Sequence, residues 1–122
     1  MERATNPSLE MDDISINVFK ALDYLRDTAP AYAKAKAERV YLEEFRKSKK
    51  AMLMKAVEKE YPSAAAQERE AYSHPDYLAL LDALKAATEE EERLRWMIVA
   101  AQAKIECWRS LESSRRFEAK TI

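Results

Sequence analysis

Residues 75–116 read PDYLALLDALKAATEEEERLRWMIVAAQAKIECWRSLESSRR, 42 positions with no helix breaker after the opening proline. Proline is well placed in the first turn of a helix. Beyond it Tyr77, Leu81, Leu84 and Ala87 begin an apolar stripe, which Leu94, Ile98, Ala101, Ile105 and Trp108 continue at spacings of three and four. The stretch predicts one helix of roughly 60 Å. A helix of that length in a chain of 122 residues sets the architecture of everything else.

The rest of the chain agrees. It contains no glycine, where about 7% is usual, and 21 alanines. Without glycine there is no P-loop, no GxGxxG turn, no EF-hand loop and no GxSxG elbow. Tight hairpins that need positive φ are equally disfavoured. Proline supplies the punctuation. Residues 1–11 read as a flexible tail, and residues 12–122 as a single helical domain. Asp12 or Asp13 caps a short first helix carrying Ile14, Val18, Leu22 and Leu25. That helix is expected to stop at Thr28-Ala29, with a second running from Pro30 to Glu60. Tyr61-Pro62-Ser63 and Ser73-His74-Pro75 bracket a short helix in the bend. The predicted fold is all-α: a long antiparallel helical hairpin, a short N-terminal helix and a short helix in the bend. Two helices of such length cannot bury themselves, so assembly into a homo-oligomer is expected.

Charge is nearly balanced, 21 basic against 22 acidic, but it is blocked along the chain. Residues 1–30 carry a net −3, residues 31–60 +4, residues 61–92 −6 and residues 93–122 +4. On the second helix Ala37, Tyr41, Phe45, Ser48, Met52 and Ala56 share one side, while Lys36, Arg39, Arg46, Lys47 and Lys50 share the opposite one. A solvated face is one reading of these cations, and a track for a polyanion is the other. In an antiparallel hairpin part of this charge would meet the acidic block instead. Glu89-Glu90-Glu91-Glu92 splays around a helix axis rather than converging, so it reads as ion-pairing partners for Arg93 and Arg95. Trp108 lies on the stripe and reads as packing. Trp96 lies off it and suits a subunit interface or an unpaired base.

Catalytic machinery is scarce. His74 is the only histidine and sits in the bend, and Cys107 is the only cysteine, read as a buried thiol. Neither a zinc site nor a di-iron bundle can be assembled from them. The expectation is a non-enzyme with no cofactor and no metal. The longest uncharged run within a helix, Trp96–Ala103, is too short to span a bilayer. With no disulfide possible, the chain reads as cytoplasmic.

YLEEFRKSKKAMLMKAVEKEY at 41–61, the polar bend and LRWMIVAAQAKIECWRSLESSRRFEAK at 94–120 together resemble the UvsY-type recombination mediators of tailed phages. The resemblance spans residues 30–120. It implies a small all-helical protein that assembles into rings, binds single-stranded DNA and helps load a recombinase onto strands held by a single-strand-binding or annealing protein. The family's DNA-contacting helix corresponds to Arg46, Lys47, Lys49, Lys50 and Lys55, and its assembly helix to Leu94–Leu111. The family's bend commonly contains glycine, whereas this one uses proline. The expected nucleic-acid-binding residues are thus Lys36, Arg39, Arg46, Lys47, Lys49, Lys50 and Lys55. The expected oligomer interface is Leu94, Trp96, Ile98, Ile105, Trp108 and Leu111. A helical protein-binding module without affinity for nucleic acid is the alternative.

Overall fold

The computed structural model describes the backbone of residues 7–121 and the side chains of residues 18–120. Among the described residues the chain is all-helical. Three helices follow in order: α1 (Pro7–Ala56), α2 (Ala64–Ser73) and α3 (Pro75–Thr121).

The expected break at Pro30 does not occur. α1 runs straight through it, so the short N-terminal helix and the second helix are one element of 50 residues. A proline opening a helix and a proline interrupting one leave the same mark in a sequence. Inside α1, Pro30 withdraws the N–H that would bond the Arg26 carbonyl, at a cost of about 3 kcal/mol. A helix packed on both sides of the interruption bears that cost. α1 also begins earlier than expected, with Pro7 in the first-turn position that proline tolerates best. Residues 7–11, assigned above to a tail, therefore belong to α1, while residues 1–6 lie outside the described residues.

The bend follows its punctuation closely. After Ala56 the backbone tightens, with Val57 N–H bonding Met54 O and Tyr61 N–H bonding Val57 O. Ser63, extended at φ −87° and ψ 143°, caps α2 through its Oγ, which accepts from Ala66 N–H at 3.1 Å. Gln67 Nε2 donates to Tyr61 O at 2.8 Å, tying α2 back to the turn before it. His74 ends α2 and starts α3: its N–H bonds Ala71 O, and its Nδ1 accepts from Asp76 N–H at 3.0 Å. No described residue has a positive φ, so the backbone needs no glycine.

Contacts divide the chain into two units, one of residues 1–31 with 94–122 and one of residues 32–93. Among the described residues the first buries Val18, Ala21, Thr28, Leu94 and Ala101. The second buries Ala71, Tyr77 and Glu91. No large side chain among the described residues is fully buried in either. Buried apolar area is the main source of stability at about 25 cal/mol per Å². No helix among the described residues is long and apolar enough to cross a membrane.

Candidate functional site

The unit of residues 32–93 holds all seven cations singled out above. Helical periodicity separates the faces of this part of α1, and packing decides which of them points inward. The inner face carries Ala35, Arg39, Leu42, Lys49, Lys50 and Leu53, all half-buried. The apolar side defined by Ala37, Tyr41, Ser48 and Met52 is exposed. Several cations therefore face other elements of the unit, and an apolar stripe faces outward.

Arg39 reaches α3. Its Nε donates to Glu91 Oε2, its Nη2 to Glu91 Oε1 at 3.1 Å, and its Nη1 to Glu43 at 3.0 Å. The hydrogen bonds it donates to Glu91, more than any other influence, hold the guanidinium protonated beyond its ordinary pKa. Lys49 Nζ lies 3.8 Å from Asp76, and Lys50 Nζ lies 3.2 Å from Glu68. The Lys50 ammonium also stands 4.8 Å from the centre of the Tyr72 ring. Tyr72 first, and Glu68 after it, raise the Lys50 pKa above the usual lysine value. Lys47 meets only Glu44, one turn back on an exposed surface. Lys36, Arg46 and Lys55 have no acidic partner among the described residues.

Arg46 and Lys47 join Lys50 around an open cleft of about 590 Å³. Ala51 and Met54 of α1, Tyr72 of α2 and Tyr77 of α3 complete its lining. The tyrosine rings meet edge to face with centroids 5.2 Å apart. Tyr77 is buried, whereas Tyr72 remains 42% exposed and offers its ring to the cleft. Three cations and a partly exposed tyrosine thus line one concave surface. Lys36, Arg39, Lys49 and Lys55 do not line this cleft.

The proposed assembly residues fall in the other unit, apart from any described role in the cleft. Leu94 is already buried within its own chain. Ile98, Ile105, Trp108 and Leu111 are half-buried, and the Trp108 Nε1 is buried with no hydrogen-bond partner among the described residues. Trp96 is 59% exposed, with the Arg95 guanidinium 4.6 Å from its ring centre. Cys107 is exposed, contrary to the expected buried thiol. It sits one residue, or 100° of helix, round from Trp108, which is enough to leave the packed stripe.

Two residues escaped the sequence reading. Glu91 was read as an ion-pairing acid on its own helix, yet it is buried and accepts from Arg39 of α1, and Arg93 pairs with Glu90. Continuing the apolar stripe through Leu84, Ala87, Leu94 and Ile98 lands on position 91, and that register was the available signal. Tyr72 carried no periodic signal, because α2 is only 10 residues long. Among the described residues no group of three or more His, Cys, Asp or Glu side chains could hold a metal ion. Comparison with protein-family models, curated proteins and solved structures finds no match for this chain.

Proposed function

We propose that this chain is a non-catalytic accessory of DNA recombination or replication that binds single-stranded DNA in the cleft of Arg46, Lys47, Lys50 and Tyr72. The observation that supports the reading is the meeting of cations with an exposed ring in one concavity. Phosphates pair with the cations, and an unstacked base lies on the tyrosine, the combination used by sequence-tolerant single-strand binders. Lys36, Arg39, Lys49 and Lys55 leave the set of expected contacts, since none of them lines the cleft. In this reading α1 and α3 form the antiparallel hairpin, in keeping with Arg39 pairing with Glu91 and Lys49 with Asp76. The chain works as a homo-oligomer in the cytoplasm of a phage-infected host, beside a recombinase or a single-strand-binding protein. Its place in recombination rests on the resemblance to the UvsY-type mediators.

Fluorescence anisotropy with labelled oligo-dT at low and moderate salt tests the proposal. Binding should weaken steeply as salt rises, and Arg46→Glu/Lys47→Glu should cost about tenfold or more in affinity. Tyr72→Ala should cost about tenfold with little change in the salt slope. A wild-type chain that fails to bind at low salt sinks the reading. The second reading, a helical protein-binding module without affinity for DNA, is favoured by the exposed apolar side of α1.

A further inference from the structure

The exposed side of α1 has an internal order that its apolar character alone does not require. Tyr41, Phe45, Ser48 and Met52 follow each other at spacings of four, three and four, the a/d rhythm of a coiled-coil seam. Tyr41 is 61% exposed and Met52 57%, while Phe45 is half-buried, its ring stacked on that of Tyr41 at 5.8 Å. The same seam continues one step outward at each end, to Glu38 and to Lys55. Both are exposed, and neither meets an opposite charge among the described residues.

We propose that this face pairs with the same face of a second copy of the chain, antiparallel, about a two-fold axis between Arg46 and Lys47. The positions then match in layers whose residue numbers add to 93. Tyr41 packs on Met52 of the other copy, Phe45 on Ser48, and Glu38 meets Lys55. Each layer sets an a position against a d position, as antiparallel helices require. Each contact also occurs twice, as a two-fold axis dictates. The flanking positions raise no like-charge conflict, since Glu44 falls opposite Ala51 and Leu42 opposite Lys49.

The charges select this arrangement over its competitors. An in-register parallel pair sets Glu38 against Glu38 and Lys55 against Lys55, which is repulsive at both ends. Sliding the antiparallel pair by one heptad places Lys55 on Phe45, or Lys34 on Met52. The next layer outward, Lys34 with Lys59, falls beyond the end of α1 at Ala56 and limits the seam. What remains, Ala37 to Ala56, is a contact of about 30 Å. Arg46, Lys47 and Lys50 lie on the far side of α1 from this seam, so a pair would carry two open basic clefts. The pairing does not depend on what those clefts bind.

Light scattering over a wide concentration range, with charge exchange, tests the pairing. The wild-type chain should associate reversibly as a dimer. Glu38→Lys and Lys55→Glu should each weaken association about tenfold, because each reverses two symmetry-related pairs. The double variant Glu38→Lys/Lys55→Glu should recover wild-type affinity, which no general loss of folding can imitate. In a Cys107→Ser background, Tyr41→Cys/Met52→Cys should oxidise to a covalent dimer while either single cysteine does not. A strictly monomeric wild type, association that the single charge variants leave unchanged, a double variant no better than the singles, or cross-linking by a single cysteine would each overturn the proposal. None of these variants alters Arg46, Lys47, Lys50 or Tyr72, so failure here and failure of DNA binding are read separately.

Discussion

The same two long helices are held by different chemistry in the two units of this molecule. Where residues 18–31 and 94–120 meet, the buried side chains are Val18, Ala21, Leu94 and Ala101, with Thr28 the one polar member. Ion pairs in that unit, such as Arg26–Asp23, Arg109–Glu106 and Arg115–Glu112, link neighbours one turn apart on a single exposed helix surface. Local pairs of this kind contribute only a few tenths of a kcal/mol. In residues 32–93 ion pairs also join one element to another, among them Arg39–Glu91, Lys49–Asp76 and Lys50–Glu68. Small apolar side chains let helices approach closely, whereas arginine and lysine fill space with long stems and end in a directional contact. The first kind of contact is indifferent to salt. The second specifies which residues face each other, and its exposed members respond to screening.

The contrast can be broken most severely in the apolar unit. Leu94→Ala removes a buried side chain from this unit's core, and should destabilise the chain by about 3 kcal/mol. Urea unfolding should return the same loss at low and high salt. A loss that shrinks as salt rises would mean that electrostatics hold this unit too.

A somewhat smaller effect is expected in the ionic unit. Arg39→Ala removes the two-point partner of the buried Glu91 carboxylate and should cost about 2 kcal/mol. Arg39→Met/Glu91→Leu should regain most of that loss, because it removes the buried carboxylate together with its guanidinium partner. If the double variant is no more stable than the single, the guanidinium contributes through its packing and the distinction between the units narrows.

The smallest effect sharpens the comparison within α3. The hydrogen bond from Arg93 holds the exposed Glu90 carboxyl below its ordinary pKa. A lowered folded-state pKa contributes stability above the unfolded value, and that contribution is lost as pH falls through the folded one. A carboxyl-resolved NMR titration should therefore show Glu90 titrating below an ordinary glutamate, and Arg93→Ala should move it back up. An unchanged midpoint in that variant would assign the shift to something other than the pair.

Much of this fold was legible in the sequence because its signals are local. Ser63 before Ala64, and His74 before Pro75, announce helix starts that the backbone then makes. The stripe from Tyr77 to Trp108 was visible because periodicity needs only one helix. Pro30 was misread because its local signature fits both a start and an interruption, and the packing that tolerates the interruption comes from elsewhere in the chain. That some cations of α1 would meet the acidic block was legible, but which ones do so was hidden for the same reason. Its cations turn inward only because Glu91 and Asp76 wait on another helix, and the Arg39–Glu91 partners are 52 residues apart. The cleft combines a visible half, Arg46 and Lys47, with Tyr72, which only the folding of α2 brings to it.

A backbone with no described residue at positive φ has a consequence for how this chain tolerates change. In most folds a few glycines act as fixed points, because any side chain at those positions strains the main chain. Here every described position accepts, as far as the backbone is concerned, any residue other than proline. Constraint on the sequence therefore falls on side-chain matches alone, such as Arg39 with Glu91 or the packing around Leu94. A saturation library should show tolerance arranged by helical face, with no isolated intolerant points in the bend.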